Sequence, residues 1–284
     1  GQLDSFNYGN GLAHKTYFGN NGLPSQLKDY RSGLTAIHQS IGYNDGLSVN
    51  RITDYQNSAF SISNISYDGL DRIRIVTAGS GIGSSSITYD ELGNIKTYKN
   101  KNRNLIYSYD YSKNRLTSID DTYNYKDYAY FQYDNRGNTK HNSKRSFEYN
   151  LNNQIVKSGS NSYIYDGHNR RIKTIDSKGT TYTFYSQSGQ LLYKEVNNKG
   201  VNYIYLGKKL IAKDGEKGSL SSHGRKHSRP FGEQIETANN DVGYTGHVYD
   251  QDLGLNYMQA RYYDPVIGRF YSNDPVDTAE AIRR

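Results

Sequence analysis

The chain has no cysteine and no tryptophan, a single methionine and four prolines among 284 residues. Without cysteine there is no disulfide framework and no Cys-based zinc site, although that absence fixes no compartment. No apolar run approaches the ~18 residues that a membrane-spanning helix needs. No stretch sustains a 3.6-residue apolar period over three turns, so long helices are not expected. Aliphatic residues are sparse as well: 34% of the chain is hydrophobic, and much of that is tyrosine. A compact core of Leu, Ile and Val would be thin. What the chain has in quantity is 30 Tyr and 28 Gly. Extended sheets with tyrosine rings packed on their neighbours suit this composition, and the regular aromatic pattern argues against disorder.

The net charge of +7 is spread along the chain, apart from the basic run His223–Arg229. That run reads as a solvated loop, with only a weak claim to be a polyanion site. The seven histidines are scattered; His223 and His227 alone have ligand-like spacing, which is too little for a metal site, and no cofactor is expected. Gly79-Ser80-Gly81-Ile82-Gly83 looks superficially like a dinucleotide fingerprint. The residues after it continue as strand, without the helix that such a fingerprint requires.

A Tyr-Asp-like pair recurs at Tyr43-Asn44, Tyr67-Asp68, Tyr89-Asp90, Tyr109-Asp110, Tyr133-Asp134, Tyr149-Asn150 and Tyr165-Asp166. Degraded copies follow at Tyr185-Ser186 and Tyr205-Leu206, and worn ones precede at Tyr8–Gly11 and Phe18–Gly22. Recurrence near 20 residues is a repeat architecture. Each pair sits between alternating runs, as in Ser86–Tyr89 before Asp90 and Ile95–Tyr98 after Gly93-Asn94, which predicts a β-hairpin. The Asp accepts bonds from backbone N–H groups two residues on, and the later Gly or Asn tolerates φ > 0. Tyrosine ends the incoming strand and covers the turn. Because one such hairpin is not stable alone, successive hairpins must pair side by side. Aromatic residues interleaved with Lys and Arg would also suit single-stranded nucleic acid, but a ring at the same turn-adjacent place in every copy is what packing requires, so nucleic acid is not the expected partner.

The end of the chain carries the densest signals: Gly243–Gly246, Asp250, Gly254-Leu255, Tyr257, Ala260–Pro265, Gly268–Phe270 and Asp274-Pro275, with Pro230–Glu233 upstream. Two runs, Leu255–Tyr263 and Arg269–Tyr271, flank Asp264–Gly268 and predict a hairpin there. These residues resemble the RHS-repeat-associated core of the RHS/YD-repeat family, whose shells include the Tc toxin C component and the teneurin YD shells. Lys208–Arg229 departs from the family pattern, so one strand pair there is expected to be missing or remodelled.

The resemblance implies an all-β fold in which tandem hairpins form a spiralling sheet, part of a hollow β-shell. It divides the chain into a YD-repeat array over residues 1–206 and a core segment, truncated at its C-terminal end, over 207–284. It also implies a role: the structural shell of an RHS-type polymorphic toxin, enclosing a C-terminal toxin domain for delivery. Expected partners are that toxin domain, the remaining shell segments and a secretion-apparatus spike or pore-forming partner. Bacterial secretion or delivery at the cell surface would follow. The alternative is an extracellular recognition module that binds carbohydrate or protein.

In the family the core often cuts the chain through an aspartyl autoprotease built on paired DPxG elements. Two close carboxylates cannot both ionise, so one donates a proton while the other accepts one. The first element maps onto Asp274-Pro275-Val276-Asp277, with Asp277 where Gly belongs, which makes Asp274 the candidate catalytic carboxylate. Its partner has no counterpart before Arg284, so self-cleavage is not expected. The bland reading of Asp264 and Asp274 is that Asp-Pro starts a turn. Arg261 and Arg269 are placed either to pair with these carboxylates or to pack over Tyr262 or Phe270, and Asp250 and Asp252 to cap the turn before Gly254. A chain that opens on Gly1 rather than Met reads as a piece of a longer protein, so missing targeting signals carry little weight.

Overall fold

The computed structural model describes residues 4–123, 127–215, 225–237 and 240–273. Among these residues there is no α-helix; the 3-10 turns Ser58–Phe60 and Tyr244–Gly246 interrupt an otherwise all-β chain. The all-β expectation and the tandem hairpins both hold. The chain divides into two compact units, one of Gly1–Tyr107, Asp121–Asn124 and Leu220–Pro230, the other of Ser108–Asp120, Tyr125–Ser219 and Phe231–Arg284.

In the first unit, nine strands from Ser5–Asn7 to Ile95–Lys99 follow one another as a meander, each antiparallel to its neighbour in sequence. In the second, a two-stranded ladder pairs Gln132–Tyr133 with Thr139–His141, and an eight-stranded meander runs from Glu148–Tyr149 to Lys209–Asp214. A separate four-stranded sheet comprises Val248–Asp250, Leu255–Met258, Arg261–Asp264 and Arg269–Phe270. The run Leu255–Tyr263 is therefore two strands and not one. It breaks where Gln259 takes φ 59, a left-handed position that no Gly or Asn marks in the sequence.

One turn builds the meanders. At Asp134 the backbone N–H donates to Asn138 O (3.0 Å), Gly137 N–H donates back to Asp134 O (3.1 Å), and Gly137 has φ 86. The Asp134 carboxylate accepts from the N–H groups of Arg136 and Asn138, both at 2.9 Å. The same frame recurs at Asp68, Asn150 and Asp166, where the left-handed residues are Asp71, Asn153 and Asn169. Asx and Gly are selected because the side chain satisfies turn amides and the fourth residue needs positive φ. The turn survives worn signals: Ser186 replaces Asp, and at Gly19, which has no side chain, Asn21 Oδ1 accepts from Leu23 N–H instead (3.0 Å). It also appears at Gly243–His247, with no Tyr-Asp pair to announce it. Tyr205-Leu206 departs, closing through Gly207 so that Leu206 pairs with Lys209.

The tyrosine does more than cover its turn. In the first unit Tyr43 Oη donates to Pro24 O (2.8 Å), Tyr67 to Val49 O (2.5 Å) and Tyr89 to Ile73 O (2.9 Å). In the second, Tyr133 reaches Leu116 O (2.7 Å), Tyr149 reaches Thr139 O (2.8 Å) and Tyr165 reaches Ile155 O (2.6 Å). Each accepting carbonyl lies at or beside the start of the strand that leaves the preceding turn. The ladder register shifts at these tyrosines, as between Gly42 and Tyr43 or Thr88 and Tyr89, a bulge that re-aims the ring. Each of these six repeats is thus hooked to its predecessor, at about 1 kcal/mol per hydrogen bond.

Burial is uneven. Through residues 4–75 the buried side chains are His14, Thr16, Asp29 and Asp54, all polar. The first unit's apolar core starts at Val76 and includes Ile87, Tyr98 and Leu105. In the second unit Phe147, Ile155 and Tyr163 of the repeats are buried, as are Leu255, Tyr257 and Tyr262 of the four-stranded sheet and Tyr271, which follows its last strand. Rings from the two sets meet directly: Phe147 packs edge-on to Tyr271 at 5.3 Å, and Tyr165 lies 6.4 Å from Tyr257.

Candidate functional site

Asp274, Pro275 and Asp277 lie outside the described residues. The residue before them, Asn273, is tied down, its Nδ2 donating to Arg136 O (2.7 Å). Asp264 does start a turn, with its Oδ1 accepting from Val266 N–H (2.9 Å) and Gly268 in the left-handed region at φ 67. It is also 1% exposed. Its Oδ2 accepts from Tyr271 Oη (2.7 Å) and Tyr128 Oη (2.9 Å). Burial pushes its carboxyl above the usual range, outweighing those phenols and the Val266 and Ile267 amides that favour the anion. Burial, reinforced by the Asp264 charge, likewise drives the Tyr271 phenol well up. Tyr271 Oη in turn accepts from Asn142 Nδ2 (2.7 Å), and its carbonyl accepts from Thr139 N–H (2.7 Å). Asp264 therefore clasps the core segment to the Tyr128–Phe147 stretch, a role that the Asp-Pro signal did not reveal.

The second clasp centres on Arg171, which no local motif singles out. Its Nη1 lies 2.7 Å from Asp250 Oδ2, both side chains being 8% exposed, and 3.0 Å from Tyr262 Oη. The guanidinium sits over the rings of Tyr257 (4.6 Å), Tyr163 (5.2 Å) and Tyr262 (5.8 Å). Its backbone N–H donates to Tyr257 Oη (2.7 Å). Burial opposes the charge, but Tyr262 and Asp250 outweigh it and Arg171 stays cationic. Asp250 also caps as expected, its Oδ1 accepting from Leu253 N–H (3.2 Å). A third anchor is Asp241, which accepts from Tyr203 Oη (2.8 Å) and pairs with Lys213. Burial raises the Asp241 carboxyl, yet Lys213 and Tyr203 overcome that and hold it below the usual range. Asp252 meets Lys178 at 3.4 Å, and Arg261 packs over Phe270 at 3.7 Å.

The basic run is not a solvated loop over its described part, residues 225–229. Arg225 pairs with Asp54, its Nη1 lying 3.2 Å from Oδ1. His227 stacks on Phe60 with ring centroids 3.7 Å apart, and Arg229, 6% exposed, points Nη1 at Ile82 O (2.5 Å). Charge density alone hid this, because guanidinium stems pack on apolar surface while their heads satisfy buried oxygens. Burial raises the Asp54 carboxyl, but Arg225 and the Asn57 and Gln56 amides outweigh it and hold it at about 2. His223 falls outside the described residues. Among the described residues no three His, Asp or Glu side chains are grouped to hold a metal ion. The polar groups of the second unit are thus arranged to fasten segments together, with phenols, carboxylates and one guanidinium satisfying one another.

Comparison with known proteins agrees with this geometry. The model of the Teneurin YD-shell family matches residues 13–221. The tRNA3(Ser)-specific nuclease WapA of Bacillus spizizenii is 28% identical over 204 residues, 68% of this chain but 8% of that protein. The tRNA nuclease WapA of Bacillus subtilis strain 168 is 25% identical over the same length and shares. Among solved structures, a Photorhabdus luminescens Tc holotoxin pore matches 98% of this chain and 20% of its own, with a TM-score of 0.55 at 14% identity. A TcdB2-TccC3-TEV crystal structure matches 97% and 20%, with a TM-score of 0.52 at 13% identity. At that identity the likeness is one of fold. The chain spans only a small part of every relative named.

Proposed function

The chain belongs to the Teneurin YD-shell family, and from that premise we propose that it is a shell segment of an RHS-type toxin, serving to confine a toxin polypeptide until delivery. One observation carries the reading: hairpins hooked tyrosine to backbone, with a separate core segment clasped onto them through Arg171–Asp250 and Asp264. A wall built in this way resists local opening, because six of its repeats are fastened to their predecessors and the core segment ties several repeats at once. The WapA nucleases and the Tc assemblies are toxin-class relatives that support the assignment, and they bring with it secretion and a toxin domain as partner. In this reading residues 1–206 are wall and 207–284 are the fastening core. Asp274 remains the proposed carboxylate of a processing step, and the residue before it in sequence, Asn273, is anchored to Arg136 O. The test is purification of the protein from its native source with intact-mass analysis and protease challenge. A companion polypeptide that resists protease until the shell is unfolded is expected. A single polypeptide without a companion, or one digested as fast as when free, would overturn the reading.

A second reading rests on a different surface. Ile164 pairs with Lys173 and Lys173 with Tyr182, which places these side chains on one face of the eight-stranded sheet. There Tyr182 is 41% exposed and Phe184, two residues on, 58%. Exposed rings on a rigid sheet suit recognition of carbohydrate or protein, the extracellular alternative. Saturable binding on a glycan array that is lost in Phe184→Ala would favour it.

A further inference from the structure

The front sheet of the first unit has two unlike faces. One buries His14, Thr16, Asp29 and Asp54. On the other, Lys15 stands opposite Lys28 and Lys28 opposite His38 across three strands. Tyr17 and Tyr30 lie on either side of the lysine pair, and Arg51 lies further along the same face. The strand residues of this face from Ala13 to Asp54 include no Asp or Glu, and none of their side chains is buried. Like charges directly opposite each other weaken a sheet, and the hairpins have no need of the Lys15–Lys28 pair.

Lys15 is offset by Asp4 at 2.5 Å, but Lys28 and Arg51 pair with no carboxylate among the described residues. Lys28 Nζ sits over the Tyr30 ring at 5.2 Å and Lys15 Nζ over Tyr17 at 5.9 Å. Gly42, the ladder partner of Arg51, has no side chain, and a Cβ there would lie 3.5 Å from Arg51 Nε; the arginine thus runs close over the neighbouring strand. A third ring, Tyr55, packs against His38 with centroids 4.3 Å apart. Tyr17, Tyr30 and Tyr55 are exposed, and none belongs to a Tyr-Asp turn. The hook that accounts for Tyr43 and Tyr67 leaves them unexplained.

We propose that this face binds an acidic polysaccharide whose pyranose rings bear carboxylates. The apolar C–H face of a pyranose packs on an exposed aromatic ring, and the carboxylates pair with Lys28 and Arg51, the two cations that no acid neutralises. Single-stranded nucleic acid also uses rings and cations, but it stacks successive bases on neighbouring rings. Here the lysine pair separates Tyr17 from Tyr30, and their offset of four residues along the ladder corresponds to about 14 Å. Ring, cation, cation, ring is instead the order that alternating sugar faces and carboxylates require. Tyr182 and Phe184, the rings of the second reading above, belong to the other unit and take no part.

The test is titration of the whole chain with a hexamer of galacturonic acid at low ionic strength, followed by calorimetry. A neutral glucose hexamer and an oligothymidylate of similar length serve as comparisons. Saturable binding of the acidic hexamer is expected, weakened by added salt and absent with the neutral one. Lys28→Gln, Arg51→Gln and Tyr17→Ser should each weaken it about threefold, and the three together more than tenfold. All three positions are exposed or half-exposed, so the fold is not at stake. Phe184→Ala should leave this binding unchanged; a loss there would move the carbohydrate to the other unit and overturn the proposal. So would no saturable binding of the acidic hexamer, equal binding of the neutral one, tighter binding of oligothymidylate, or binding that the triple variant retains.

Discussion

The front of the first unit and the second unit are built from the same turn, yet they bury different things. Through residues 4–75 the buried side chains are polar, and the apolar ones remain half-exposed. In the second unit the repeats bury Phe147, Ile155 and Tyr163, and a four-stranded segment contributes Leu255, Tyr257 and Tyr262. The repeat specifies a sheet but not a core. A single sheet layer with one uncovered face gains little from apolar burial, and a second layer is what turns pattern into stability. The core segment supplies that layer, and its clasps are where the largest effects are expected.

Arg171→Ala should therefore do the most damage. It leaves the Asp250 carboxylate buried without its partner, which typically costs roughly 3–5 kcal/mol. Hydrogen exchange should show the strands Val248–Asp250 and Arg261–Asp264 loosening while the front strands of the first unit keep their protection. Uniform loosening of both regions would break the comparison. Leu255→Ala comes next: the side chain is 1% exposed, and truncation there should cost roughly 2–5 kcal/mol by denaturant melts. The matching change in the front region, Leu27→Ala on the strand Pro24–Arg31, removes a half-buried side chain and should cost about 1 kcal/mol. Equal losses would mean that the front strands are covered after all.

Acid should separate the two units. Asp54 of the first unit is held at about 2, below an unfolded carboxylate at ~3.9, so its contribution is present above that value and disappears as pH falls through about 2. Asp264 of the second unit is displaced upward, so the native state binds its proton more readily than the unfolded chain does. Its penalty is absent below the ordinary carboxylate range and grows as pH rises toward its own raised value. Acidification from neutral toward pH ~4 should thus favour the second unit, and further acidification should weaken the first, each by at most ~1.4 kcal/mol per pH unit. Region-resolved exchange or proteolysis across this range measures both. Asp264→Asn should abolish the gain and Asp54→Asn the loss; a profile that neither variant changes would assign the pH dependence elsewhere.

The turn was legible in the sequence because its chemistry is local. Asp or Asn accepts from amides two and four residues on, and Gly or Asn holds the left-handed position, so residue type and spacing carry the signal. The tyrosine hook was not legible, because its acceptor is a backbone carbonyl and any residue supplies one: Pro24, Val49, Ile73 and Thr139 all serve. Arg171 and Asp250 were invisible as a pair for a similar reason. They lie 79 positions apart, and nothing near either of them announces the other. The basic run misled for the opposite reason, since its charges look solvated until Asp54, Phe60 and Ile82 are seen beneath them. The four-stranded sheet holds for the same reason, through contacts between residues distant in sequence.

The smallest effects test whether the hook itself differs between the two settings. Tyr89→Phe removes a hydroxyl that donates only to Ile73 O, on a ring that is half-buried. Water can take over the freed carbonyl, so the loss should be about 0.5–1 kcal/mol. Tyr165 Oη donates to Ile155 O and also meets Tyr262 Oη at 3.0 Å, beneath the core segment. Tyr165→Phe leaves both groups in a dry place, and the loss should rise to about 1–3 kcal/mol. Melts of the two single variants against wild type measure the difference. A larger loss at Tyr165 means that the core segment strengthens the hooks it covers by keeping water from them. Equal losses would mean that the hooks act independently of the second layer, and that its contribution comes from apolar burial and the Arg171 and Asp264 clasps alone.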